Sequence, residues 1–324
     1  MNLEMIDKST LRLLGIVCLS LFLLAPTADA QDSWPLSAKR IVFIGDSITH
    51  AGQYVSHIES QLRRQKVSPL PEIINIGLGS ETCSGLSEPG HPFPRPDVHE
   101  RLHRALEMLN PALVVTCYGM NDGIYHPPSQ ERLEAYRKGV REIVRKCRGA
   151  GAKVIVLTPP PFDPEPVRAA GKLKRRNDPD NQKGYAYFNI YERYDDVLTE
   201  YAEWIQAEPK LADMVIDLHG PMLKATLEKR KDDPAFTFSP DGIHPNAEGH
   251  RLMANLILSA WDQPEVDAES DAVFPLVHRR SVLLHDAWLS AVGHQRPGVK
   301  SGLSVADAEE KARVIEGEIS KLLK

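Results

Sequence analysis

Five short apolar runs are spaced along the chain, and longer stretches of helical periodicity separate them. The runs are residues 40–45 (RIVFIG), 72–77 (EIINIG), 112–118 (ALVVTCY), 153–158 (KVIVLT) and 213–218 (DMVIDL). They are rich in Val and Ile and almost unbroken in hydrophobicity, the pattern of strands covered on both faces of a parallel sheet. Residues 53–66, 97–110 and 129–150 carry apolar side chains at helical spacing, and 247–261 does so after the last run. The second of these helices opens at Asp97, after Pro96, and stops before Pro111; both prolines are sound boundary signals. The alternation predicts an α/β fold with right-handed crossovers. This is a three-layer α/β/α sandwich around a central parallel sheet of about five strands.

Three stretches break the rhythm. Residues 1–30 carry a basic start (Lys8, Arg12), an apolar run at 13–24 and the small-x-small triplet Ala28-Asp29-Ala30. This predicts a signal peptide cleaved near Ala30 and a protein exported to the periplasm or secreted. The alternative is an uncleaved anchor, but the run is short against the roughly 20 apolar residues a span needs. Nothing after residue 30 is apolar for long enough, so no membrane span is expected in the mature protein. Residues 159–187, rich in Pro, Lys, Arg, Asp and Asn, predict a long loop or insertion at the strand ends; loops of that length are usually functional or disordered. Residues 262–324 form a C-terminal helical extension beyond a domain at 31–261. It has a His-bearing aromatic part at 277–294 and a charged helix at 305–323.

Charge and cysteine content narrow the chemistry. The 324 residues carry a formal net charge of -5, which gives no reason to expect a nucleic-acid partner. Of four cysteines, Cys18 leaves with the signal; Cys83, Cys117 and Cys147 are an odd number and imply no complete disulfide framework. No CxxC or His/Cys cluster suggests zinc.

Four motifs fall at predicted strand ends, where ligands of open α/β sheets bind. Gly45-Asp46-Ser47 follows the first run and offers Ser47 as a nucleophile; read blandly, Asp46 or Ser47 only caps the next helix. Asp241 and His244, three apart in SPDGIHPNAEGH, let a carboxylate hold one imidazole nitrogen while the other faces a serine. Read blandly, Asp241-Gly242 is a turn signal. Asn121 in YGMNDG offers a neutral amide donor to an oxyanion. The small residues of NIGLGSET, residues 75–82, let a backbone N–H approach the same point.

With these motifs in this order, the chain resembles the SGNH hydrolase superfamily, the GDSL-type esterases and lipases. The matching residues are Gly45-Asp46-Ser47, Gly119-x-Asn121-Asp122 and Asp241-x-x-His244, and the resemblance spans about 39–261. It implies a flavodoxin-like sandwich, no required cofactor, and ester hydrolysis through an acyl-enzyme. It also implies a catalytic set Ser47, Asp241 and His244, with an oxyanion hole from the Ser47 N–H, Asn121 and a backbone N–H at Gly79 or Ser80. Residue type favours Gly79; the choice stays open. The leading expectation for substrate is an acetyl or other short acyl ester of a carbohydrate. General short-chain carboxylesterase or lysophospholipase activity is the alternative among enzymes. Outside that class stand an inactive carbohydrate-binding module and a structural protein organised by the extension.

Lesser candidates are Glu81, Glu88 and Arg95 as substrate contacts, against the reading of solvated loop charges. His278, His285 and His294 read as surface or packing histidines. Trp288 reads as the residue that docks the extension on the core.

Overall fold

The computed structural model describes residues 34–179, 181 and 184–324. The expected signal segment therefore lies outside the described residues. The elements in chain order are β1 (Arg40–Gly45), α1 (Ser47–Ala51), α2 (Gln53–Arg64), β2 (Glu72–Asn75), α3 (Val98–Leu109), β3 (Leu113–Cys117), α4 (Gln130–Gly149) and β4 (Lys153–Leu157). There follow α5 (Pro164–Ala169), β5 (Leu173–Lys174), β6 (Ile190–Tyr191), α6 (Tyr194–Ala207), β7 (Met214–Ile216), α7 (His219–Lys229) and α8 (Ala247–Ala260). The chain closes with α9 (Ala268–Val292) and α10 (Val305–Leu322).

The sheet has five strands in the order β2-β1-β3-β4-β7, every pair parallel. Its strands are the five apolar runs, the first at full length and the other four shortened at their ends. They are buried on both faces: Ile41, Phe43, Val115 and Ile155 have no exposed surface. Burying that much β-branched surface drives the layered packing. Helix α2 packs against α8 and α9, and α3 packs against α4. The chain leaves β1 toward β2 on one side and later fills β3 on the other. The strand order thus reverses at the carboxyl end of β1, the place where such sheets bind ligands.

Local chemistry sets the boundaries. Ser129, Asn246, Asp267 and Ser304 each accept a backbone N–H at the start of α4, α8, α9 and α10, satisfying donors that a helix end leaves unpaired. β2 stops at Asn75, two residues before the apolar run ends, because its side chain turns the chain. Asn75 Oδ1 accepts the Gly77 N–H at 2.8 Å, and Nδ2 donates to the Thr49 carbonyl at 2.6 Å. The stretch 159–187 is not the plain loop its composition suggests: it holds α5 and β5, which pairs with β6. Its polar residues hid the apolar anchors Val167 and Phe162, both buried.

The described chain from Trp34 to Lys324 is one compact unit. The extension is a helical hairpin whose α9 lies along α2 and β2. Arg63 and Arg280 clamp Glu59 and Glu316 across that contact, and Trp288 packs against the core as expected. Among the described residues no helix is long and apolar enough to cross a membrane.

Candidate active site

β1 ends at Gly45, where a Cβ would overlap Thr49 and the Cys117 carbonyl. Glycine there lets the chain turn sharply against the end of β3 and start α1 at once. Asp46 is the cap: its carboxylate accepts the Ile48 N–H at 2.9 Å. Burial pushes the Asp46 carboxyl up to about 7 against that hydrogen bond. Capping by Asp46 leaves Ser47 free in the first turn. The capping reading of this motif holds for Asp46, and it leaves the Ser47 hydroxyl available one residue on.

From the loop before α8, His244 reaches the same point. Its Nε2 lies 2.8 Å from Ser47 Oγ, and its Nδ1 lies 2.7 Å from Asp241 Oδ2. The other oxygen of Asp241 accepts the backbone N–H groups of Ile243 and His244 at 2.9 and 2.7 Å. The turn expected from Asp241-Gly242 is thus the device that aims the carboxylate at the ring. Burial of the Asp241 carboxyl is outweighed by its bonds to His244 and Ile243, which bring it down to about 2. The same hydrogen bond to Asp241 raises the imidazole pKa of His244, because an ionised partner favours the protonated ring.

Ser47, Gly79, Ser80, Asn121, Asp241 and His244 line one cavity of about 560 Å³. The structure brings together every residue of the expected catalytic and oxyanion sets. Asn121 is buried; its Oδ1 accepts the Tyr125 hydroxyl at 3.1 Å and one Nδ2 hydrogen goes to the Glu81 carbonyl at 3.2 Å. With the amide orientation fixed in this way, its second N–H is left for a ligand. Ser80 adopts a left-handed φ of 66°, strained for a residue with a side chain. The distinction between Gly79 and Ser80 as donor persists, since both line the cavity.

The loop after β2 is held by charges that sequence reasoning assigned elsewhere. Glu81 is fully buried and accepts from Arg101 Nε and Nη2 and from the Tyr118 hydroxyl, each at 2.6 Å. Glu88 is buried against Arg95 at 2.6 and 2.7 Å. Neither carboxylate lines the cavity, so neither contacts substrate there. Arg95 does line it, but two of its nitrogens are bound to Glu88 and Nη1 donates to the Ser80 carbonyl at 3.3 Å. Asp122 accepts the N–H groups of Cys83 and Ser84, both at 2.8 Å, tying the Asn121 motif to the same loop.

The extension also reaches this region. His285 Nε2 lies 2.9 Å from the Gly77 carbonyl, and its ring meets His50 edge to face. His278 bonds Ser56 at 3.0 Å, and His294 is half-buried; these are the packing roles expected. Arg296, which nothing in the sequence marked, lines the cavity beside Gly79. Cys83, Cys117 and Cys147 are free and buried.

Comparison with solved structures gives several partial likenesses. A gut microbial diltiazem-metabolizing enzyme, BT4096, is 20% identical over 69% of this chain and 47% of its own, with a TM-score of 0.47. The acetyl xylan esterase AlAXEase is 21% identical over 68% of this chain and 98% of its own, with a TM-score of 0.47. A catalytic mutant of Axe2, an acetylxylan esterase from Geobacillus stearothermophilus, is 20% identical over 71% of this chain and 97% of its own, with a TM-score of 0.43. Curated proteins give no match in sequence. The model of the GDSL-like lipase/acylhydrolase family matches residues 43–252, more than half of the chain. With the three motifs in place on the five-stranded sheet, the chain belongs to that family and is a hydrolase of ester bonds.

Proposed function

We propose that the protein is a serine esterase that works through an acyl-enzyme. The observation that carries this reading is the continuous relay Ser47–His244–Asp241, with hydrogen bonds of 2.8 and 2.7 Å. His244 Nε2 takes the Ser47 proton as Oγ attacks the ester carbonyl, and Asp241 stabilises the imidazolium that forms. The developing oxyanion is met by the free Asn121 N–H, the Ser47 N–H and one of the backbone N–H groups at Gly79 or Ser80. His244 then returns its proton to the departing alcohol. Water, deprotonated by the same ring, attacks the acyl-enzyme and releases the acid. A module that only binds sugar has no use for such an oriented base.

The leading substrate is a short acyl ester, above all acetyl, of a carbohydrate. Tyr187, Phe93 and Tyr125 offer ring faces and Tyr187 a hydroxyl, while Lys172, His91 and Arg296 supply charge and donors around the same cavity. That mixture suits a polar sugar ring better than a long acyl chain. Export, expected from residues 1–30, is consistent with such a substrate.

The test is p-nitrophenyl acetate hydrolysis with wild type and Ser47→Ala. The variant should lose about 10⁴-fold or more in kcat with Tm unchanged. Retained turnover in Ser47→Ala would reject the serine reading. For the substrate, acetate release from acetylated sugars should exceed turnover of esters with acyl chains of eight or more carbons; the reverse order would reject the carbohydrate reading.

A further inference from the structure

The cavity holds more positive charge than its own carboxylates neutralise. Three permanent cations line it, Arg95, Lys172 and Arg296, against one carboxylate, Asp241. Asp241 is committed to His244 and Arg95 to Glu88. Among the described residues, no carboxylate lies within ion-pair distance of Lys172 or Arg296. The chain as a whole is acidic, with a formal net charge of -5, so this local excess is not a general property of its surface.

Arg296 is held in place without an anion. It comes from the segment between α9 and α10, and its guanidinium lies over the Phe93 ring, 5.3 Å from the centroid. Gly79, which has no side chain, also lies close to it. A Cβ there would sit 3.4 Å from Arg296 Nε and 3.6 Å from Nη2. Of its five N–H donors, one on Nη1 reaches the Pro297 carbonyl at 3.2 Å, and the buried Nε has no partner. A guanidinium cannot shed its proton to escape this cost, and a covered, unpaired donor is costly. The stretch 159–187 contributes Lys172 to the same lining. The residues beside Lys172, Gly171 and Leu173, line a second cavity in which Arg168, Arg175 and Arg176 stand against Asp178 and Glu192.

We propose that Arg296 is a specificity-determining residue that receives a carboxylate of the substrate, and that the ester is therefore borne by an acidic saccharide, such as a uronic acid unit. Lys172, in the same lining, adds to the attraction. The extension then completes the active site with the anion-binding group, and positions the loop that carries Gly79 through the His285 bond to Gly77. This inference rests on the esterase reading and adds the charge of its substrate.

The test compares acetate release from a mono-O-acetyl methyl glucuronoside and from the equally acetylated methyl glucoside. Wild type should favour the acidic sugar by about tenfold or more in kcat/KM, since a charge-assisted hydrogen bond in a partly desolvated site discriminates on that scale. Added salt should narrow the gap. In Arg296→Gln the ratio should fall to within about threefold of unity, chiefly by a rise in KM for the acidic sugar, and Arg296→Lys should restore part of it. No preference in wild type, hydrolysis of neither sugar, or a preference unchanged in Arg296→Gln would overturn the proposal. So would an equal loss on both sugars, which marks a packing role. Acetate release that survives in Ser47→Ala would instead indict the serine mechanism. The wild-type ratio and its salt dependence need no variant, so a poorly folding Arg296→Gln leaves the proposal open to refutation.

Discussion

Asp241 and Glu81 are both carboxylates tied to one basic side chain, and the difference between them separates chemistry from scaffold. Asp241 is half-exposed at the cavity wall and bound to an imidazole, itself half-exposed, whose far nitrogen points at a hydroxyl. Glu81 has no exposed surface and is saturated by a guanidinium and a phenol. A histidine partner can give up its proton and an arginine cannot. The first pair can therefore move charge during a reaction, and the second can only fix a loop. Burial and the identity of the partner, not the carboxylate itself, decide which role is played.

The strongest way to break this comparison is to neutralise each acid in turn. Asp241→Asn should cost about 10³–10⁴-fold in kcat, because the ring loses the group that orients it, while Tm changes by no more than a degree or two. Glu81→Gln should do the opposite. Removing one partner of a buried pair leaves Arg101 uncompensated and costs about 3–5 kcal/mol of stability, seen as a lower denaturant midpoint. Equal loss of stability in both variants would erase the distinction. Next in size, Asn121→Ala should lower kcat by about 10²–10³-fold with KM little changed, measured on p-nitrophenyl acetate.

The histidines sharpen the same contrast through pH. In the proposed mechanism attack on the ester needs the neutral ring of His244, whose pKa lies above the ordinary value because of Asp241. The acid limb of kcat/KM should therefore lie above about pH 6.5, and Asp241→Asn should shift it downward. His57 and His250 behave in the opposite sense. Burial, above all, lowers them to about 4 and about 3, with His57 stacked on Phe274 and His250 on Tyr54. The unfolded chain takes up these protons first. Their contribution to stability is full above about pH 6.5 and drains away as pH falls toward the folded values. Tm should drop between pH 7 and 5, and a His57→Phe, His250→Leu variant should flatten that drop, as thermal melts at each pH would record.

Much of this was legible in the sequence for a physical reason. Strands buried on both faces leave continuous apolar runs, so five segments announced the sheet. Parallel order then put Ser47, Gly79 and Asn121 at the strand ends of one sheet; His244, expected at a strand end too, comes instead from the loop between α7 and α8, with α7 separating it from β7. What escaped was long-range pairing. Glu81, Glu88 and Arg95 stand in a polar, proline-rich stretch that reads as solvated loop, yet Arg101, twenty residues past Glu81, reaches back to bury it. No local pattern encodes that return. Arg296 was hidden for the same reason: its neighbours Gln295 and Pro297 carry no motif, and only the docking of α9 along α2 delivers it to the cavity.

The central claim is that one hydroxyl, Ser47 Oγ, becomes covalently acylated. Mass mapping of the protein after reaction with a fluorophosphonate, which phosphonylates an activated serine, tests it directly. The account predicts a single adduct on the peptide containing Ser47, formed in step with the loss of esterase activity and absent from His244→Ala. An enzyme fully inactivated with Ser47 unmodified, or labelled on another residue, would contradict it.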